Sequence, residues 1–340
     1  MAIDIFGTRA MAAAMRQDKP AGTFLLDTFF NRVETSTEET VDIDIVKGKR
    51  RLAPFQTPRI EGKLVEKRGF ETRSYKPAYV KPKKALEAAD IVANRGAGES
   101  PYTLQSPMER AASKLAEELL DLEDMVIRRE EWMAAQQLVN GYVDVVGDGV
   151  NYRIDLGMSP SHKIAVATPW SDTTNSKPVD DIADAVRLIS KDSGKSADRL
   201  VANSGTIEKL LGTAQAQNRL DNRRLNLGQI DPQQFDGATY YGDMFVAGKR
   251  LEIWSYDDWY VDDNGNEQPM IPDDKVIVAA STADARRHYG AIRDKKAGFA
   301  ALPRFPKTWE EEDPAMDWLM VQSAPLPAFH EIDALVVLSV

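Results

Sequence analysis

The stretch from Ser106 to Gly141 constrains this chain more than any other, because it reads as one uninterrupted helix with a start signal and a stop signal. Ser106 is a good N-cap, Pro107 suits the first helical position, and Glu109 stands three residues after the cap, completing a capping box. Apolar residues then recur at Met108, Ala112, Leu115, Leu119, Leu122, Val126 and Met133, by threes and fours with one skipped turn, so one stripe faces a core. Asn140-Gly141 supplies the stop. At 1.5 Å per residue the span is a rod roughly 50 Å long, well beyond the average globular helix. Its other faces are charged, with 4 basic against 8 acidic residues from Pro107 to Asn140.

Before the rod the chain reads mainly as extended. Thr8 to Gln17 is a helix candidate too short to stand alone. The cluster Phe24-Leu25-Leu26-Asp27-Thr28-Phe29-Phe30 is costly to expose, so it is either a terminal segment docked on its own core or an arm packed on a neighbour. Val41, Ile43 and Ile45 alternate with Asp42 and Asp44, which predicts a half-buried strand; a second extended run passes through Gly62 to Thr72. Such a long two-stranded ribbon is marginal in water unless it lies against something. Charge says what. From Val41 to Lys84 there are 13 Lys or Arg against 5 Asp or Glu, a local net of +8 in a chain of net −10, leaving −18 elsewhere. A basic arm on an acidic body predicts contact with another copy.

After the rod, Tyr142 to Val146 and Val150 to Ile154 flank Gly147-Asp148-Gly149, a hairpin signal. Lys163 to Ala167 reads as a strand, Asp180 to Ser190 as a helix, Leu200 to Asn203 as a strand, and Ser204 as the cap of the following helix. Tyr240 to Tyr260 is rich in strand formers, and Asp263-Asn264-Gly265 is a turn before a strand at Val276 to Ala280. Two terminal strands, Trp318 to Ala324 and Ala334 to Val340, are expected to return to the hairpin after the rod. The class is α+β.

Chemistry-bearing patterns are missing. There is no cysteine, hence no disulfide, thiolate or cysteine metal site, which fits an intracellular or assembly-stabilised protein. No signal peptide or membrane span is read, and the negative charge argues against a free-standing nucleic-acid binder. His162, His288 and His330 lie far apart and read as isolated surface or interface residues. The acidic groups Glu117-Glu118, Asp121, Glu123-Asp124 and Asp257-Asp258 read as solvated surface, and Trp254, Tyr256, Trp259 and Tyr260 as core and interface. Gly147 and Gly149 lack the third glycine of a nucleotide loop, and Ser204 lacks a nucleophile elbow. With no catalytic, cofactor or metal set, the chain reads as a building block. The alternatives are a tail or connector subunit that forms rings, or an α+β enzyme whose scattered carboxylates converge.

Several runs carry a family likeness: Arg286-Arg287-His288-Tyr289-Gly290, Arg304-Phe305-Pro306-Lys307 with Trp309, Asp313-Pro314, and Met320-Val321-Gln322-Ser323-Ala324-Pro325-Leu326. Tyr79-Val80-Lys81-Pro82-Lys83 and Thr23-Phe24-Leu25-Leu26 with Phe29-Phe30 add to it. Through these the chain resembles the major capsid proteins of lambda-like tailed bacteriophages. The resemblance implies an HK97-type fold: an N-terminal arm (1–38), an extended E-loop (39–85), a P-domain (86–172 and 305–340) with a spine helix (107–140), and an axial A-domain (173–304). It implies hexamers and pentamers closing an icosahedral head around double-stranded DNA held without sequence-specific binding. Scaffold, portal and decoration proteins are the implied partners, synthesis in the host cytoplasm the implied origin, and no cofactor or membrane is involved. Contacts between subunits are expected at Lys47, Lys49, Arg50, Arg51, Lys63, Lys67 and Arg68 of the arm, at Phe24, Phe29 and Phe30, and on the rod at Glu117, Asp121 and Asp124.

Overall fold

The computed structural model describes residues 22–45, 71–87, 107–221, 233–235, 237–298, 300–311 and 316–340, with scattered positions between 52 and 64. Its helices are α1 (Phe24–Phe29), α2 (Pro107–Asn140), α3 (Pro178–Asp192), α4 (Ser204–Gly212) and α5 (Ala214–Asp221). The strands of the first half are β1 (Arg32–Thr35), β2 (Val41–Ile45), β3 (Glu71–Tyr75), β4 (Lys83–Glu87), β5 (Tyr142–Gly147), β6 (Val150–Asp155) and β7 (Lys163–Ala165). They continue as β8 (Arg199–Ala202), β9 (Gln233–Phe235), β10 (Ala238–Val246), β11 (Lys249–Tyr256), β12 (Trp259–Val261) and β13 (Glu267–Pro269). The last six are β14 (Lys275–Ala279), β15 (Ala285–Tyr289), β16 (Phe305–Glu311), β17 (Met316–Gln322), β18 (Pro325–Phe329) and β19 (Leu335–Ser339).

The long helix α2 has the bounds its sequence predicts, and its apolar stripe is divided between two cores. Leu115, Leu119, Leu122 and Val126 pack with Leu86, Leu319 and Val321 of the antiparallel sheet β16-β17-β4. About two turns further on, Met133, Ala134 and Leu138 join Leu25, Leu26, Phe29 and Phe30 of α1 and its end, together with Leu326 and Phe329 of β18. A third core lies under α3, where Val179, Ile182, Val186 and Ile189 pack on Leu200, Ile253, Val278 and Val336. Each such buried aliphatic side chain contributes roughly 1.5–3 kcal/mol, so the rod draws its stability from both sheets it spans.

The terminal strand departs from expectation. β19 does not return to the β5-β6 hairpin, which pairs only with itself among the described strands. It lies inside a seven-stranded sheet of order β7-β19-β14-β8-β11-β10-β9, antiparallel to β14 and parallel to β7. The reason is burial on both faces: Leu335 to Leu338 is a continuous apolar run with every residue buried, a pattern suited to a central strand and not to a half-exposed hairpin partner. The turn at Asp263 to Gly265 likewise joins β12 to β13 and does not lead into β14. The cap of α4 is Asn203, whose side chain accepts from Thr206 N at 2.8 Å, with Ser204 as the first helical residue.

Gly141 ends α2 at φ +72°, and a Cβ there meets Met158 Cβ at 2.5 Å. Only glycine takes this conformation without strain while the β5 backbone turns back under the helix. Gly141→Ala is therefore expected to destabilise the fold by roughly 2–4 kcal/mol, combining left-handed strain with overpacking. Thermal unfolding checks it, and an unchanged Tm would refute the account.

Candidate functional site

The skipped turn in the apolar stripe of α2 marks the most unusual chemistry of the molecule. Four residues after Val126, where the stripe calls for an apolar side chain, stands Glu130, which is 1% exposed, with Glu131 beside it at 1%. Glu130 accepts from the Tyr289 hydroxyl at 2.9 Å and faces Arg304 Nη2 at 3.5 Å, while Arg304 Nη1 reaches Glu123 at 2.9 Å. Burial pushes the Glu130 carboxyl above the ordinary range, against the pull of Arg304 and Tyr289. The same burial, reinforced by Glu130, raises the Tyr289 hydroxyl. Glu123 is therefore not solvated surface as the sequence reads; it is buried because its stripe neighbour Glu130 needs a shared cation. Gln137, about two turns along, is also fully buried, and its amide donates to the Pro327 carbonyl.

Glu131 has a different task. Its Oε1 accepts from Leu25 N at 2.7 Å and its Oε2 from Leu26 N at 3.1 Å, so a carboxyl on α2 caps the first turn of α1. Thr23, at the cap position, makes no side-chain cap bond of its own. At the other end Arg287 Nε donates to the Phe30 carbonyl at 2.6 Å and Nη2 to Asp27 at 2.9 Å. A six-residue helix is too short to persist alone; this one is held at its start by the rod and at its end by β15. Burial lifts the Glu131 carboxyl to about 7, although both backbone N–H groups favour the ionised form.

A third junction ties the segment before β4 to β17. Val80 bridges Ser323, the Tyr79 hydroxyl donates to Gln322, and Gln322 Nε2 and Lys307 Nζ donate to Asp294 at 3.1 and 2.5 Å. The runs that carry the family likeness thus converge in space: Phe24 to Phe30, Tyr79 to Lys83, Arg286 to Gly290, Arg304 to Lys307 and Met320 to Leu326 are the pieces that lock the arm and the sheets onto the rod. Sequence reading missed Glu130 and Glu131, although the gap in the stripe was the available signal.

The expected contact residues fare unequally. Lys47, Lys49, Arg50, Arg51, Lys63, Lys67 and Arg68 lie outside the described residues, as do the Ser106 cap and the helix candidate at 8–17. Phe29 and Phe30 are buried in the chain's own core, and the Phe24 ring packs in tilted contacts on Trp254 and Tyr256, with centroids at 5.2 and 5.4 Å. Of the two readings of this cluster, docking on its own core is the one the geometry displays, because α1 supplies the apolar lid over Met133 and Leu138. Glu117 is exposed beside Lys114 at 3.1 Å, Asp121 is exposed and paired with Lys84 of the same chain, and Asp124 is partly buried. Nor are all the histidines isolated: His288 and His330 meet at 2.9 Å, and His162 is buried against Leu335 O at 2.7 Å. Among the described residues no cluster of three or more His, Asp or Glu could hold a metal ion, and no helix is long and apolar enough to cross a membrane.

Known structures and sequences agree on what this arrangement is. The fold matches a prophage capsid protein of Escherichia coli with a TM-score of 0.72 at 21% identity, covering 98% of both chains. It also matches the encapsulin of Synechococcus elongatus with a TM-score of 0.51 at 12% identity, covering 96% of this chain and 94% of that one. These likenesses define the class: an α+β fold of the HK97 type. In sequence the chain is 30% identical to the major capsid protein of Enterobacteria phage P21 over 99% of both proteins. It is 27% identical to that of Escherichia phage lambda over 98% of both. The profile of phage major capsid protein E matches residues 7–340, and the chain belongs to that family. It is a structural protein of the phage head, not an enzyme, and its work is self-assembly into a shell.

Proposed function

We propose that each subunit lays its basic loop over the acidic body of the next, building hexamers and pentamers that close an icosahedral head around double-stranded DNA. The observation that carries this reading is the charge split, +8 from Val41 to Lys84 against −18 elsewhere, on a ribbon whose base is the antiparallel pair β2-β3. Beyond that base Leu52, Phe55 and Leu64 are almost wholly exposed, a costly state for large apolar side chains in a lone subunit. A loop that is basic and apolar by turns suits a heterologous contact, in which rings close by repetition. Charge then sets register while apolar burial supplies affinity.

On this reading Lys47, Lys49, Arg50, Arg51, Lys63, Lys67 and Arg68 face the neighbour, and exposed Glu117 and Asp121 of α2 belong to the landing surface with Asp124. The pairing of Lys84 with Glu118 and Asp121 within one chain gives that surface an internal competitor. Residues 1–38 act as the arm, 39–85 as the E-loop, 86–172 with 305–340 as the peripheral domain and 173–304 as the axial domain, with β19 crossing into the axial sheet. The protein is made in the host cytoplasm and works with scaffold, portal and decoration proteins, and its negative body lines the DNA without gripping it.

Reversing the charge of the seven basic loop residues is expected to abolish shells while leaving a folded subunit. Negative-stain imaging together with sedimentation reads both halves of that expectation. Normal particles from the variant would sink the proposal, and rings or tubes from the unaltered chain would point to a tail or connector role.

A further inference from the structure

The longest run of acids in the sequence, Glu310-Glu311-Glu312-Asp313, falls at the turn between β16 and β17 and is followed by Pro314 and Ala315. Glu310 and Glu311 are exposed, and Glu311 accepts from the Trp318 indole at 2.8 Å. Among the described residues neither glutamate pairs with a Lys or Arg. Four adjacent carboxylates repel one another until cations gather around them.

A cavity of about 530 Å³ with the opposite character opens at the other end of β17, between the base of the loop, the tip of the β5-β6 hairpin and the segment after β15. Its rim carries Lys76, Lys81 and Arg293 against Glu39 and Asp148. Glu39 serves two of these cations, Lys76 at 2.9 Å and Arg293, and Lys81 has no acid partner among the described residues. Deeper in, Asp294 is already held by Lys307 and Gln322. Pro77, Val150 and Met320 make the wall apolar. In a chain of net −10, a rim with three cations against two acids is a local reversal of sign, and it suits an acidic segment.

We propose that the acidic turn of one copy docks in this cavity of a second copy, with its carboxylates on Lys76, Lys81 and Arg293 and with Pro314 and Ala315 against the apolar wall. One chain cannot make this contact with itself. β17 runs from Met316 at the turn to Gln322 at the cavity, and at about 3.3 Å per residue that strand holds the two roughly 20 Å apart. Each copy thus offers one turn and one cavity, the head-to-tail arrangement that repeats until a ring closes. Single exposed ion pairs contribute little, but several carboxylates meeting three cations form a network that sets register. The contact uses none of the seven outer loop residues, so it is independent of the loop contact proposed above.

Carbodiimide coupling, which joins a lysine amine to a carboxylate already touching it, tests the docking on shells of the unaltered chain. Peptide mass mapping is expected to find Lys76 or Lys81 linked to a residue of 310–313, with the subunits converted to covalent oligomers; free subunits are expected to lack the link. Shells without it would overturn the proposal. Charge exchange gives a second reading. Lys76→Glu with Lys81→Glu, and Glu310→Lys with Glu312→Lys, are each expected to cut particle yield by about tenfold, and all four changes together to restore most of it. Normal yield from either pair, or no recovery in the fourfold variant, would overturn the docking as well. Where a variant fails to fold, the coupling on unaltered shells decides alone. Normal particles after reversal of the seven outer loop charges would refute the loop contact and leave both of these results unchanged.

Discussion

Replacing Arg304 by methionine is expected to destabilise the fold by about 3–5 kcal/mol, because it removes the cation that two buried carboxyls share. Glu130 is 2% exposed at its side chain and Glu123 9%, and Arg304 is the cation that reaches both. The loss should depend on pH with a defined sign. Without Arg304 the Glu130 carboxyl rises further above its unfolded value, so the variant is least impaired near pH 5, where Glu130 takes up a proton, and most impaired near pH 8. Adding Glu130→Gln should return part of the loss, since it removes the charge and keeps an acceptor for Tyr289. Denaturant unfolding of the two single variants and the double variant closes the cycle. A loss below 1 kcal/mol for Arg304→Met, or strict additivity with Glu130→Gln, would show that the network does not hold the rod.

That network also shows where sequence reading stops. The rod, the β5-β6 hairpin and α3 were legible because each is specified by residues close in the chain, a stripe or a turn. The place of β19 was not, since an apolar run such as Leu335 to Leu338 states that a strand is buried but not which strands bury it. Glu130 and Glu131 were missed for a related reason. A glutamate on a helix is nearly always solvated, and its partners Arg304, Tyr289, Leu25 and Leu26 lie more than a hundred residues away in sequence. The histidine contact depends likewise on β15 meeting β18. The family likeness reached further than local pattern, because the runs that carry it are the ones these distant contacts tie together.

Glu131→Ala is expected to free the arm while leaving the body folded, which separates the capping role of this residue from the stability of the rod. Removing the carboxyl takes the acceptors from Leu25 N and Leu26 N, two buried donors, and costs about 2–4 kcal/mol at a six-residue helix with no side-chain cap of its own. Limited proteolysis should then cut near Phe24 to Phe30, exposing Met133 and Leu138 beneath, and shells should fail although the subunit still unfolds cooperatively. The pH dependence gives a sharper check. Because burial lifts Glu131 to about 7, its contribution is complete below the ordinary carboxyl value and is lost as pH rises through 7. A rise of that size corresponds to roughly 3 kcal/mol at 1.36 kcal/mol per pKa unit. The gap in Tm between the unaltered chain and Glu131→Gln should therefore narrow from pH 5 to pH 8. A gap that widens over this range would mean that the two backbone N–H groups outweigh burial and that Glu131 caps α1 as an anion.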